Sequence, residues 1–368
     1  MRKENSMKAK DISAIDKNLS ISQRIEEADI VFYNVKKAPF EVYGLYDYQN
    51  QPVFKRLPDE IAQQVNSGVA ELYLHTAGGR VRFSTDSEFL IIRAVMNSVS
   101  KFPHMPLTGS SGFDLYTNDP ESNTSRYVRT FVPPYDLTHT FESKIKLSKK
   151  QNRFFTIHFP SYSGVTELYV GVSNGSCIGE GMKYSNTPIV YYGSSITQGG
   201  CSSRPGNTYQ NIISRRMNVD YINLGFSGSA RAEDEIVSYM ASLPMCAFVS
   251  DYDHNAPDVK HLQNTHCKMY QKIREAHPSI PYIMLSKCDF DSSYEDNILC
   301  REVVQNTYRY AKEHGDQNVY YIDGASIFRG PYQDMCTVDA VHPNDLGFAL
   351  IADALEAELK RAFTQQLM

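Results

Sequence analysis

A serine, a glycine-rich turn, an asparagine and an Asp–His pair follow one another in the C-terminal half of the 368-residue chain. Ser195 lies in a Gly- and Ser-rich segment directly after a short apolar run. Asp339 precedes His342 by three residues, so its carboxylate can accept a hydrogen bond from Nδ1–H and leave Nε2 as a base. This combination of nucleophile, base and orienting carboxylate favours acyl transfer.

Two further loops could stabilise an oxyanion. The segment Asn223–Ala230 contains Gly225 and Gly228, and glycines let backbone N–H groups approach a ligand closely. Asn255 follows the next apolar run, and its side-chain amide could donate a second hydrogen bond.

The segment Gly193–Gly200 does not match the sequence motifs of three other ligand-binding or catalytic loops. A phosphate-binding loop needs a second glycine where Gln198 stands, followed by a lysine that is absent. The dinucleotide motif GxGxxG is missing, and the GxSxG elbow fails because Thr197 occupies its second glycine position.

The elements around these loops form a regular alternation. Five apolar runs predict strands: Ile189–Tyr192, Tyr221–Leu224, Cys246–Asp251, Tyr282–Leu285 and Val319–Ile322. Amphipathic segments between and after them predict helices: Tyr209–Met217, Glu233–Leu243, Asp258–Ala276, Asp296–His314 and a last helix from Pro343 to about Ala362. Apolar strands alternating with helices predict a parallel sheet covered on both faces, with ligands at the carboxyl ends of the strands.

The first half has a different character. Short β-type runs separated by turn residues predict a β-sandwich or jelly roll: Phe40–Leu45, Ala70–His75, Val81–Ser84, Phe89–Val95, Thr130–Pro133 and Glu167–Val172. Gly78 and Gly79 between two of these runs predict a hairpin, and only Leu57–Val65 reads as helical. We therefore expect an N-terminal segment over residues 1–39 that packs on the β-domain, a β-domain over 40–182 and an α/β domain over 183–368.

These motifs resemble those of SGNH/GDSL-type hydrolases, whose signature residues are Ser, Gly, Asn and His. The resemblance implies a five-stranded, flavodoxin-like α/β/α domain that needs no cofactor or metal. It also implies Ser195 as the nucleophile, with Asp339 orienting His342. The oxyanion hole would consist of the backbone N–H groups of Ser195 and Gly228 and the amide of Asn255, with Gly225 as the second choice for the glycine. The chain departs from the family pattern at Ser194, where an Asp is usual, and at Asp253, where a Gly is usual.

The segment Gly112–Tyr116, with sequence GFDLY, resembles the GxDLY motif of a two-domain branch of these esterases. Three residues are candidate substrate contacts: Asp114 and Tyr116 in that motif, and Arg204 after the nucleophile loop. The resemblance implies a serine esterase that removes a short acyl group, acetyl above all, from an O-acetylated carbohydrate through an acyl-enzyme. Two alternatives stay open: a non-catalytic carbohydrate-binding protein, and a lipase or thioesterase for longer acyl chains.

The charge and the hydrophobic pattern of the chain restrict the kinds of partner that it is expected to bind. The formal net charge of −5 and the absence of a membrane-length apolar run argue against nucleic acid and membrane partners. We expect a small-molecule or oligosaccharide ester as the partner, and a homo-oligomer stays open. Seven scattered cysteines and a polar N-terminus predict free thiols and a cytoplasmic location. His261 and His266 are five residues apart and fall on different helix faces, so no metal site is predicted there.

Overall fold

The computed structural model describes Ile25, residues 29–288 and residues 294–366, which form an N-terminal β-domain and a C-terminal α/β domain. The β-domain contains strands β1 (Ile30–Asn34), β2 (Glu41–Tyr43), β3 (Arg80–Thr85), β4 (Phe89–Ser98), β5 (Phe113–Asp119), β6 (Thr124–Phe131), β7 (Thr140–Lys146), β8 (Arg153–His158), β9 (Gly164–Ser173) and β10 (Ile178–Glu180). Its helices are α1 (Asp59–Val65), α2 (Ser67–Leu72) and α3 (Leu107–Ser110).

The strands of the β-domain form two antiparallel sheets. One has the order β1-β9-β4-β7, and the other has the order β10-β3-β8-β5-β6, with β2 also paired to β3. Both sheets contribute to one apolar core, with Val81 and Ile157 from one sheet and Leu90 and Val170 from the other. The predicted antiparallel β-sandwich is therefore confirmed.

Two details of the sequence analysis were wrong in this domain. The predicted strand Ala70–His75 is instead the end of α2 and a turn, so the hairpin at Gly78 and Gly79 does not form. Asn66 caps α2 by accepting a hydrogen bond from the Val69 N–H (2.9 Å), and Val69 packs into the core of the other domain. That tertiary contact outweighs the local alternation.

The N-terminal segment also differs from its prediction. Strand β1 lies within residues 1–39 and pairs antiparallel with β9, so the sheet begins before the predicted start of the β-domain at residue 40. Its five residues are only partly buried. The remainder of that segment falls largely outside the described residues.

The α/β domain contains strands β11 (Ile189–Gly193), β12 (Tyr221–Gly225), β13 (Ala247–Asp251), β14 (Tyr282–Leu285) and β15 (Val319–Ile322). Its helices are α4 (Ser195–Gln198), α5 (Tyr209–Met217), α6 (Asp234–Ser242), α7 (Val259–Ala276), α8 (Tyr294–Glu313), α9 (Gly324–Ile327) and α10 (Asp345–Gln366). The five strands are parallel in the order β12-β11-β13-β14-β15. The predicted flavodoxin-like domain is confirmed, and each strand lies within one residue of its predicted bounds.

Strand β11 shows why the sheet is covered on both faces. Ile189 and Tyr191 belong to one apolar core, whereas Val190 and Tyr192 belong to another. Successive side chains of a strand point to opposite faces, so an entirely apolar strand requires helices on both sides.

Buried arginines of the β-domain join it to the α/β domain. The Arg56 guanidinium donates to the carbonyl of Gly225 at the end of β12 (2.6 Å) and lies 4.5 Å from the ring centroid of Phe226. Arg80 forms an ion pair with Asp220 just before the same strand. Burial lowers the pKa of Arg56 to about 9, which still leaves it charged at neutral pH. The β-domain therefore holds the strand whose end carries the predicted oxyanion loop.

None of the seven cysteines, all of which lie in the described residues, forms a disulfide. Among the helices that the structure describes, none combines the length and apolar character needed to cross a bilayer.

Candidate active site

Ser195 is the first residue of α4, directly beyond the carboxyl end of β11. Ser194 caps this short helix, because its Oγ accepts a hydrogen bond from the Ile196 N–H (3.2 Å). Ser194 can thus supply the local support of the turn despite replacing the usual Asp. Gly193 is required by close packing, since a Cβ there would lie 2.2 Å from the carbonyl oxygen of Asp251. The turn leaves Ser195 only 9% exposed.

Ser195, His342 and Asp339 form a continuous chain of hydrogen bonds. Ser195 Oγ lies 2.9 Å from His342 Nε2, and His342 Nδ1 lies 2.7 Å from Asp339 Oδ2. The other carboxylate oxygen accepts the backbone N–H of His342 (2.7 Å) and that of Val341 (3.1 Å). Burial alone would raise the pKa of Asp339, but these hydrogen bonds outweigh it and hold the pKa below its usual value. The carboxylate is therefore fixed against the imidazole in its charged form.

The two glycines of the neighbouring loop differ in how well each backbone N–H could serve as a donor to an oxyanion. The Gly225 N–H already donates to Asn223 Oδ1 (2.9 Å), which makes this second-choice residue unsuitable as an oxyanion donor. Gly228 has φ +66°, and a Cβ there would meet no atom within 4 Å. Asn255 uses one amide N–H to donate to the Phe226 carbonyl (2.8 Å), and an amide carries a second N–H that can serve a ligand. Gly228 and Asn255 therefore remain the better candidates.

Gln198, which the sequence analysis did not assign to the site, links the helix that begins at Ser195 to the loop that contains Gly228. Its Oε1 accepts the backbone N–H of Ser227, the neighbour of Gly228, at 2.9 Å. Its Nε2 donates to His75 Nδ1 and to the Ser161 carbonyl, both at 3.2 Å. Burial lowers the pKa of His75 to about 3, so the neutral ring can accept this bond. A Gln three residues after Ser195 was the only signal in the sequence.

Two family models match adjoining parts of the chain. One describes the GDSL-like lipase/acylhydrolase family and matches residues 186–360, and the other describes the N-terminus of SGNH-hydrolase-type esterases and matches residues 30–178. The chain belongs to the SGNH/GDSL hydrolases of the two-domain, GxDLY-containing branch. It is therefore a carboxylic ester hydrolase by family. A search of curated proteins found no significant match.

Solved structures share the complete two-domain arrangement. A protein from Bacteroides ovatus described as a GDSL-like lipase superimposes with a TM-score of 0.82 at 22% identity, covering 91% of this chain and 98% of that one. A family two carbohydrate esterase from Clostridium thermocellum, solved with cellohexaose, gives a TM-score of 0.59 at 13% identity over 88% and 99% of the chains. An acetyl xylan esterase from Butyrivibrio proteoclasticus gives 0.57 at 12% identity over 92% and 99%. At these identities the likeness establishes the fold.

The GxDLY motif of this hydrolase forms a buried joint between its domains. Asp114, fully buried, accepts hydrogen bonds from His158 Nδ1 (2.8 Å), Arg204 Nη1 (2.8 Å) and the Gly206 N–H (2.9 Å). Arg204 also contacts the hydroxyl of Tyr116, which is itself buried. Burial alone would raise the pKa of Asp114, but His158 and Arg204 outweigh it and hold the pKa below its usual value. Asp114 and Tyr116 are thus buried within the joint, and the polar contacts of Arg204 are made to it as well. Substrate contact by any of these three residues stays a prediction.

The β-domain also reaches the sheet edge that carries Ser195, through residues that the sequence analysis did not assign to the site. The Tyr162 hydroxyl donates to the carbonyl of Ser195 (3.1 Å). The ring of Phe102, 36% exposed, packs edge-on against Tyr162, and the ring of His104 lies 6.0 Å from that of His342. One side of the catalytic edge of this hydrolase is therefore built by the loop between β4 and α3.

Proposed function

We propose that the protein is a serine esterase that removes a short acyl group, acetyl above all, from an O-acetylated carbohydrate. The observation that carries the proposal is the hydrogen-bonded chain from Ser195 through His342 to Asp339 at the carboxyl edge of the sheet. Family membership supplies the reaction class. The acyl-enzyme route and the substrate are the parts proposed here.

In the first step, Ser195 Oγ attacks the ester carbonyl while its proton moves to Nε2 of His342. The imidazolium is stabilised by Asp339, which already accepts the Nδ1–H. Collapse of the tetrahedral intermediate then breaks the bond to the alcohol oxygen, and His342 returns the proton to that oxygen. The products are the free alcohol and an acyl group esterified to Ser195.

In the second step, water attacks the acyl-enzyme as His342 takes a proton from it. The carboxylic acid leaves, and Ser195 Oγ recovers its proton. In both steps the negative oxygen is held by the backbone N–H groups of Ser195 and Gly228 and by the amide of Asn255. Fixed donors of this kind act where charge develops and so lower the barrier.

The carbohydrate substrate is supported by the protein's structural likenesses and its composition. A structure solved with cellohexaose and an acetyl xylan esterase share the fold over most of both chains. The chain has 25 Tyr residues, and exposed tyrosine rings can stack on sugars. Tyr127 is 46% exposed and packs against the Arg204 guanidinium, 3.9 Å from its ring centroid.

A longer acyl chain is the second candidate because the segment before His342 exposes apolar side chains. Tyr332, Met335 and Val338 are 57%, 56% and 44% exposed. The N–H of Val338 donates to the His342 carbonyl (3.0 Å), so this apolar segment lies beside the base. Each methylene that such a surface buries would contribute about 0.8 kcal/mol to binding.

A series of aryl esters from acetyl to octanoyl, together with acetylated xylo-oligosaccharides, tests the proposal. We expect kcat/KM to be highest for acetyl and to fall with chain length, with acetate released from the oligosaccharides. A preference for octanoyl over acetyl would support the lipase alternative instead. Oligosaccharide binding without hydrolysis of any ester would support the non-catalytic alternative.

A further inference from the structure

Three metal-ligating side chains from separate parts of the chain meet beside the proposed base. His104 comes from the loop between β4 and α3, Cys201 from the loop after α4, and His342 from the loop before α10. One ligand atom from each lies within 4.8 Å of the other two. The Cys201 N–H donates to the Pro343 carbonyl (3.0 Å), which fixes its loop next to His342.

The donor set suits zinc. Thiolate sulfur and imidazole nitrogen are the usual protein ligands of Zn²⁺, and three of them leave a fourth tetrahedral position for water. Bond lengths of about 2.0–2.3 Å imply ligand atoms roughly 3.3–3.6 Å apart, so the cluster would have to contract. His104 is exposed, and its side chain can make this movement. Cys201 is 3% exposed and gives the site a fixed, sheltered wall.

We propose that His104, Cys201 and His342 form an inhibitory site for Zn²⁺. Binding replaces the thiol proton of Cys201, which passes to solvent, with a sulfur–zinc bond, and no oxidant or reductant is involved. The inference rests on the proposed function for its inhibitory effect, whereas the binding itself does not.

Inhibition follows from the hydrogen bonds that His342 already makes. Its Nε2 faces Ser195 Oγ at 2.9 Å, and its Nδ1 faces Asp339 at 2.7 Å. Zinc on Nε2 would remove the base from the nucleophile, and zinc on Nδ1 would remove the orienting carboxylate. Either geometry breaks the catalytic chain, so zinc must act against hydrolysis rather than for it.

Two variants test the zinc site without replacing a proposed catalytic residue. His104→Ala and Cys201→Ser each remove one proposed ligand and keep Ser195, His342 and Asp339, so the zinc sensitivity of each variant is measured relative to its own rate of aryl acetate hydrolysis without zinc. His314→Ala, which removes an exposed histidine outside the cluster, is the matched control. If Cys201→Ser does not fold, His104→Ala decides alone.

The experiment is a Zn²⁺ titration of aryl acetate hydrolysis, with Mg²⁺ as the comparison ion and a chelator added at the end. We expect zinc, but not Mg²⁺, to inhibit the wild type and His314→Ala, with full recovery on chelation. His104→Ala and Cys201→Ser should need at least tenfold more zinc for half-inhibition. Equal zinc sensitivity in all four proteins would overturn the proposal.

A binding measurement keeps this proposal distinct from the proposed function. Calorimetric titration of Ser195→Ala with Zn²⁺ leaves all three ligands in place and requires no activity. We expect one ion per chain, and at least tenfold weaker binding when His104→Ala is added. Absence of stoichiometric zinc binding would refute the metal site. Zinc binding together with a wild type that hydrolyses no ester would count against the proposed function alone.

Discussion

Replacing Asp114 by alanine tests whether the GxDLY motif is a joint between the domains. Asp114 accepts hydrogen bonds from His158, Arg204 and the Gly206 N–H, and it has no exposed surface. Its loss leaves Arg204, 19% exposed in its side chain, without its carboxylate partner. Arg215 lies nearby and is half-buried, and the pKa of its guanidinium is lowered chiefly by burial and raised in part by Asp114.

The expected cost is that of breaking a buried ion pair, about 3–5 kcal/mol in the free energy of unfolding. At about 2–4 °C per kcal/mol, the melting temperature should fall by about 6–20 °C. Asp114→Asn keeps the shape and part of the hydrogen bonding, so its melting temperature should lie between those of Asp114→Ala and the wild type.

Thermal melting measures the cost, and kinetics far below the melting temperature separate a joint from a substrate contact. Asp119→Asn is the control, because Asp119 is on the same strand but exposed, and it contacts only its own turn. We expect KM of Asp114→Ala at low temperature to stay within a few-fold of wild type. A variant that melts like the wild type but has a greatly raised KM would refute the joint and restore Asp114 as a substrate contact.

Three other predictions follow from named contacts. Burial lowers the pKa of His266 to about 4, so between about pH 6.5 and pH 4 the unfolded chain binds this proton and the folded chain does not. The free energy of unfolding should therefore decrease as the pH is lowered through this range. His266→Gln should reduce that slope by up to about 1.4 kcal/mol per pH unit, as measured by melting at several pH values. Asn255→Ala should lower kcat about 10²–10³-fold with little change in KM, and an unchanged kcat would remove it from the oxyanion hole. Gly225→Ala should destabilise strongly, because its Cβ would lie 2.3 Å from the Gln198 nitrogen, whereas Gly228→Ala meets no atom and should lose only about 1–2 kcal/mol, the cost of its left-handed φ, as thermal melting would show.

The sequence predicted the α/β domain well because its signal is local. Strands such as β11 are apolar on both faces and are bounded by turns, so burial on both sides is visible in the residue order alone. The rule that ligands meet at the carboxyl ends of parallel strands pointed to the loops that contain Ser195, Asp339 and His342, and the family resemblance implied their roles.

The β-domain and the surroundings of the site depended on contacts that are distant in sequence. The segment Ala70–His75 alternates like a strand, yet α2 forms there because Val69 is buried against the other domain. Gln198 hydrogen-bonds to His75, 123 residues before it, and the ring of His104 lies near that of His342, which is also distant in the chain. Asp114 illustrates the same point, since its motif was visible in the sequence but its pairing with Arg204 was not.

Reaction with a fluorophosphonate probe, followed by peptide mass mapping, tests the catalytic chain most directly. The probe forms a covalent bond to an activated serine, so the wild type should carry one adduct on Ser195. Ser195→Ala should carry none, and His342→Ala should label far more slowly because the base that activates Oγ is missing. An adduct on Ser194 or another serine, or labelling of Ser195 at an unchanged rate in His342→Ala, would contradict the account.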